Sequence, residues 1–193
     1  DLTHLVQSTY LGGNGYDETY SATALPEGNV YVAGETESAN FPGVSGGAQP
    51  VYGGGDASGG DAFVSLLRAD LKQIIQSTYL GGTGYDYAGS PVVAGMDLYV
   101  AGGTTSSDFP GTTGGAQPGY GGGSYDGFVA LFTADLKQLV QSTDLGGTGL
   151  DQGSRLAVSG GNLYLAGNTR SLNFPGTGGG AQPGIGGSDD AFI

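Results

Sequence analysis

Six aspartates recur at two fixed places in this 193-residue chain. Asp17, Asp86 and Asp151 follow a glycine-rich turn, and Asp61, Asp126 and Asp190 precede an apolar run. Carboxylates beside glycine-rich loops are what calcium uses, because it takes about six to eight oxygen ligands from carboxylates and backbone carbonyls. Aspartate next to glycine is also an ordinary turn residue whose side chain holds its own backbone. The calcium-loop spacing D-x-[DN]-x-[DN]-G is absent. The turn reading therefore comes first, and calcium at these six aspartates is the one cofactor left open.

Other reaction chemistries fail on count. His4 is the single histidine, and its place in the later repeats is taken by Gln73 and Gln138. There is no cysteine, so thiolate nucleophiles, disulfides and cysteine metal sites are all removed. Histidine-ligated metal hydrolysis needs more than one histidine. Paired carboxylates could serve a glycosidase, but no spacing selects a pair. No catalytic residue is assigned, and the chain is expected not to be an enzyme.

Twelve tyrosines and seven phenylalanines stand against no tryptophan. Tyr10, Tyr31, Tyr99 and Tyr164 fall in apolar runs and are expected to pack between sheets. Tyr16, Tyr52, Tyr85, Tyr120 and Tyr125 fall in loops, where aromatic faces suit ligand contact. A carbohydrate-binding, lectin-like module on those loop tyrosines is the alternative function.

These residues are positioned by a repeat. Gln-Ser-Thr-Tyr-Leu-Gly-Gly occupies 7–13 and 76–82, and Gln-Ser-Thr-Asp-Leu-Gly-Gly occupies 141–147, so roughly a third of the chain is written three times. Units of this size built from short strands bury their faces only by stacking on one another, which points to β-propeller blades. Units of about 1–69, 70–134 and 135–193 form one array. Four strand segments are expected in each: 5–11, 20–25, 29–33 and 62–67; 74–80, 91–94, 98–101 and 128–132; 139–145, 155–158, 162–166 and 191–193. Turn clusters of Gly, Pro, Asn and Asp separate them. The fold class is all-β, with three four-stranded antiparallel sheets as propeller-type blades. Each unit also carries a long insertion that opens with Phe41-Pro, Phe109-Pro or Phe174-Pro, and the repeated phenylalanine is expected to anchor it as a packed structural loop.

Composition limits the partners. The net charge is −13, and Arg68, Arg155, Arg170, Lys72 and Lys137 are the fixed cations. A basic footprint for phosphates is missing, so nucleic acid and acidic membrane surfaces are not expected partners. No apolar run approaches the roughly 18–20 residues that span a bilayer.

The chain opens on Leu5, Val6, Gln7, Ser8, Thr9, Tyr10 and Leu11, elsewhere the second half of a hairpin, and stops at Ala191, Phe192 and Ile193, the first half of the same hairpin. The two ends are complementary strands, as in blades closed by both termini. Closed propellers carry about four to eight blades, whereas three are encoded. Two readings follow: strands 5–11 and 191–193 pair between chains, closing a ring or propagating a filament, or the 193 residues are a section of a longer array.

The motifs Ser77-Thr-Tyr-Leu-Gly-Gly-Thr-Gly-Tyr-Asp86, Tyr99-Val-Ala-Gly102, Asp108-Phe-Pro110, Ala116-Gln-Pro118 and Asp61-Ala-Phe-Val64 recur through the chain. On these the whole chain resembles the bacterial β-propeller repeat family SBBP, found in large secreted and cell-surface proteins. The resemblance implies a propeller, an extracellular or cell-surface setting in a bacterial host, and no catalytic residue set. The longer glycine tracts depart from the family's usual pattern. The expected function is a non-enzymatic extracellular scaffold that self-associates by strand complementation.

Overall fold

The computed structural model describes residues 3–54 and 59–193. Eleven strands are found among them and no helix. The first sheet contains β1 (Asp17–Ala24), β2 (Val30–Thr36), β3 (Asp61–Leu67) and β4 (Ile74–Leu80) in the order β1-β2-β3-β4. The second contains β5 (Asp86–Ala94), β6 (Asp97–Thr104), β7 (Asp126–Thr133) and β8 (Leu139–Leu145), ordered β5-β6-β7-β8. The third has β9 (Asp151–Ser159), β10 (Asn162–Thr169) and β11 (Asp190–Phe192), ordered β9-β10-β11. Every pairing is antiparallel.

The all-β expectation holds, and two details of it change. The sheets do not coincide with the sequence units: the Gln-Ser-Thr-Tyr strand that opens the second unit, β4, is the last strand of sheet 1. The reason is local. β3 and β4 are joined by a short hairpin in which Arg68 N donates to Gln73 O at 2.9 Å and Leu71 N to Arg68 O at 2.9 Å. Leu71 and Leu136 take the left-handed conformation there (φ 54° and 59°). Leu136 repays that conformation by full burial in the core between sheets 1 and 2. The second change is in number: sheet 3 has three strands rather than four, and residues 5–11 form no strand.

The sheets stack in sequence. β5 lies against β1, β2 and β3, and β9 lies against β5, β6 and β7. Side chains tie the layers together: Thr23 Oγ1 donates to Pro91 O at 2.6 Å, Tyr31 Oη to Ala134 O at 2.5 Å, and Leu156 N to Ser90 Oγ at 3.1 Å. The core between sheets 1 and 2 is built from Tyr31, Leu80, Leu98, Val100, Phe128 and Phe132 with their neighbours. β3 is buried along its whole length, as the two-sided apolar character of these strands requires. In β10, by contrast, Leu163 and Tyr164 remain exposed.

Each insertion is anchored by its phenylalanine. Phe41 stacks on Phe63 at 4.4 Å, Phe109 on Phe128 at 4.5 Å and Phe174 on Phe192 at 4.4 Å, each pair tilted by 35°. Three copies of one geometry follow from three copies of one motif.

Candidate functional site

The recurring aspartates are the joints of this scaffold. Asp17, Asp86 and Asp151 begin the first strand of each sheet, where the chain has just crossed a Gly-Gly turn. Asp17 Oδ2 accepts from Gly13 N at 2.8 Å and from Ser38 Oγ at 2.9 Å, and its Oδ1 accepts from Thr36 Oγ1 at 2.5 Å. Asp86 takes Gly82 N at 2.9 Å and Ser106 Oγ at 2.7 Å. Asp151 takes Gly147 N at 2.7 Å, Ser171 Oγ at 2.6 Å and the Thr169 hydroxyl. Each carboxylate thus ties the incoming turn to the strand beside it. Among the described residues no group of three or more histidines or acids is placed to hold a metal ion.

Asp61, Asp126 and Asp190 work with the glutamine of each Ala-Gln-Pro. Asp61 Oδ2 accepts from Gly53 N at 2.7 Å and Gln49 Nε2 at 3.2 Å, and Gln49 Oε1 in turn accepts from Gly81 N at 3.2 Å. Asp126 repeats this with Gly121 N at 2.5 Å and Gln117 Nε2 at 3.2 Å, and Asp190 with Gly186 N at 2.7 Å and Gln182 Nε2 at 2.9 Å. Burial pushes the Asp61 carboxyl up to about 7, with the Asp86 charge adding and the Gly53 amide opposing. Burial likewise raises Asp86 to about 6, against three hydrogen bonds, and Asp126 to about 6. Asp144 replaces the tyrosine of the motif and is raised to about 7 by burial and by Asp126 and Asp86. Its Oδ1 is buried without a partner.

The last strand of each complete sheet is held on both sides. β4 pairs with β3, and it also bonds to the insertion loop: Ser77 N to Gly43 O at 2.9 Å and Tyr79 N to Gln49 O at 3.1 Å. β8 repeats the pattern with Ser142 N to Gly111 O at 2.9 Å and Asp144 N to Gln117 O at 3.0 Å. In sheet 3 the corresponding space between β11 and the loop is a groove of about 330 Å³, lined by Phe174, Gly176, Gln182, Ala191, Phe192 and Ile193 among others. A Cβ on Gly43 would strike Ile74 at 2.7 Å and one on Gly111 would strike Leu139 at 2.9 Å, whereas one on Gly176 would meet nothing within 4 Å. Residues 5–10 are exposed: Leu5 by 84%, Val6 by 93% and Tyr10 by 102%. Leu11 packs beside Phe41, Phe63 and Tyr79.

The loop tyrosines separate. Tyr52 packs edge-on to Tyr79 at 5.6 Å, Tyr120 donates to Gly123 O at 2.9 Å, and Tyr16 donates to Glu18. Tyr85 and Tyr125 come together at 5.9 Å, joined by two tyrosines that loop reasoning missed, Tyr87 and Tyr20. All four line a pocket of about 390 Å³ with Gly89, Gln152, Ser154 and Arg155. The missed signal is a β-bulge in each first strand. Tyr20, Gly89 and Ser154 each fall at a register shift that leaves them without a paired residue, and bulges re-aim side chains. Burial, then the hydrogen bond to Glu35, raises the Tyr85 hydroxyl, and burial pushes Tyr87 up to about 12, so both are neutral donors at ordinary pH. A larger cleft of about 1170 Å³ lies between the turns of sheets 1 and 2, over Leu25, Tyr31, Val92 and Val93. The Tyr31 hydroxyl on its floor is committed to Ala134 O. His4 meets Thr3 at the surface, 2.8 Å away.

The fold and its joints define an array of repeated antiparallel sheets. Residues 8–42 match the family model SBBP, described as a beta-propeller repeat. The match runs from Ser8 through β1 and β2 to the Phe41-Pro42 anchor, and it bears out the resemblance carried by the recurring motifs. No curated protein matches the chain significantly. Among the described residues no helix is long and apolar enough to cross a membrane.

Proposed function

We propose that this chain is a non-enzymatic scaffold of the bacterial exterior that associates with further copies of itself by strand complementation. Residues 5–11 of one chain enter the groove between β11 and the 173–183 loop of another. One observation carries the reading: sheet 3 offers the carbonyls of Gly176 and Gln182 where sheets 1 and 2 use those of Gly43 and Gln49, and of Gly111 and Gln117, while the sequence that fills those places lies exposed at residues 5–10.

The register follows from the complete sheets. Ala62 faces Leu80 and Phe63 faces Tyr79, so Ala191 faces Leu11, Phe192 faces Tyr10, and Ile193 faces Thr9. Ser8 N donates to Gly176 O and Tyr10 N to Gln182 O. Pairing covers two exposed edges and adds main-chain hydrogen bonds, as in other strand-addition interfaces. The extracellular setting is supported by the lack of cysteine, the acidic charge and the SBBP resemblance.

Light scattering across a concentration series tests this. A two-chain species signals a ring, and mass growing with concentration signals a filament. Ser8→Pro removes the amide that would bond Gly176 and is expected to leave monomer under all conditions. Wild-type protein that stays monomeric at every concentration overturns the proposal.

A further inference from the structure

The three repeats agree at their joints and differ around one pocket. Asp17, Asp86 and Asp151 are identical, as are Thr36, Thr104 and Thr169, and Ser38, Ser106 and Ser171. The bulge residues diverge into Tyr20, Gly89 and Ser154, and the residues after the aspartate diverge into Glu18, Tyr87 and Gln152. Of these six, all but Glu18 line the same 390 Å³ pocket, with Tyr85, Tyr125 and Arg155 around them. Five divergent positions that meet in one concavity give this repeat scaffold a single asymmetric site.

The rings form a continuous aromatic wall. Tyr20 meets Tyr87 edge-on at 5.9 Å and 85°, Tyr87 lies 6.0 Å from Tyr85, and Tyr125 closes on both at 5.9 and 6.3 Å. Two glycines make the space. A Cβ on Gly103 would strike the Tyr87 ring at 2.6 Å, and a Cβ on Gly89 would meet nothing nearer than 3.8 Å, so the pocket is open at Gly89. Polar groups share the pocket with the rings: Gln152, whose side chain bonds to Tyr87, Ser154, and the Arg155 guanidinium, which donates to Ser154 O at 2.8 Å and to Gly89 O at 3.4 Å.

Charge selects the class of ligand. Arg155 at the wall opposes a cation, which an aromatic wall would otherwise attract. Glu35, bonded to the Tyr85 hydroxyl, and the net charge of −13 oppose an anion. A neutral ring with C–H faces for the tyrosines and hydroxyls for the amide and guanidinium fits both halves, and the volume lies at the small end of ligand pockets.

We propose that the pocket formed by Tyr20, Tyr85, Tyr87 and Tyr125 with Gln152 and Arg155 binds a neutral pyranose saccharide. It sits on the first strands β1, β5 and β9, while the complementation groove sits at the far edge of sheet 3, so this inference does not depend on assembly.

The test is calorimetric titration of the full chain with maltose, cellobiose, lactose and N,N′-diacetylchitobiose, with choline and sodium galacturonate as charged probes. At least one neutral saccharide is expected to bind at millimolar concentration or below. Gly89→Leu, which puts a side chain into the pocket and replaces none of its tyrosines, and Tyr20→Ala, at its exposed rim, are each expected to weaken that binding at least about tenfold. Thermal melting establishes that the variants fold. If Tyr20→Ala fails to fold, Gly89→Leu alone decides. The proposal is overturned if no neutral saccharide binds, if choline or galacturonate binds more tightly than all of them, or if the folded variants bind as the wild type does.

Discussion

The amide of Ser77 donates to the carbonyl of Gly43 at 2.9 Å, so the last strand of sheet 1 is bonded to its insertion loop as well as to its neighbouring strand. The Ser8 counterpart of Ser77 and the Gly176 counterpart of Gly43 are present in the same chain without that bond. In β4, Gln76, Ser77, Thr78 and Tyr79 are buried while Ile75 stays 44% exposed. Tyr10→Ala is therefore expected to weaken self-association by about 3–5 kcal/mol, the cost of truncating a buried aromatic. Val6→Thr, at the Ile75 position, is expected to leave it nearly unchanged. Analytical ultracentrifugation of both variants checks the contrast, and equal effects would refute the proposed register.

Asp144 stands where sheet 1 has Tyr79. The Tyr79 hydroxyl donates to Ser38 O at 2.7 Å and accepts from Phe41 N at 3.0 Å. Asp144 is 2% exposed with a buried unpartnered oxygen, and such a group costs about 1–3 kcal/mol. Asp144→Tyr is expected to raise stability by about that amount in urea unfolding, with the slope unchanged. A loss of stability would show that the second sheet has adapted to the carboxylate.

Four buried carboxyls make stability depend on pH. Asp61 and Asp144 are raised to about 7, and Asp86 and Asp126 to about 6, chiefly by burial. A folded-state value above the unfolded one means that the folded chain holds protons the unfolded chain has released. Their contribution is complete below the ordinary aspartate range near 4 and is lost as pH rises through about 6 to 7. The melting temperature is expected to be higher at pH 5 than at pH 8, and Asp144→Asn is expected to flatten part of that decline. A melting temperature that rises across this window contradicts the assignment.

Phe109 is 4% exposed and stacks on Phe128, so it fastens an insertion whose remaining residues are mostly glycine and small polar types. Phe109→Ala is expected to cost about 3–5 kcal/mol and to open the 105–125 loop to limited proteolysis before the strands are cut. Cleavage at wild-type rates would mean that the Gln117 and Asp126 bonds suffice to hold it.

Much of this molecule is legible in the repeat. Recurrence of Gln-Ser-Thr, Tyr-Val-Ala-Gly and Phe-Pro, with turn residues between them, determines antiparallel strands, phenylalanine-anchored insertions and aspartates that hold turns, because each depends on contacts within one unit or with the next. The boundaries of the sheets were legible only in part: the sequence shows 74–80 as the second half of a hairpin that 61–64 begins, but a repeat can be divided at any phase, and the folded hairpin at 68–73 decides that β4 closes sheet 1. The tyrosine pocket was not legible either. Tyr20, Tyr87 and Arg155 come from three strands on three sheets, and each strand carries a bulge there, at Tyr20, Gly89 and Ser154, that breaks the alternation a strand sequence displays. Local pattern determines which segments become strands. Stacking of one sheet on the next, a contact between residues more than sixty positions apart, decides which side chains share a cavity.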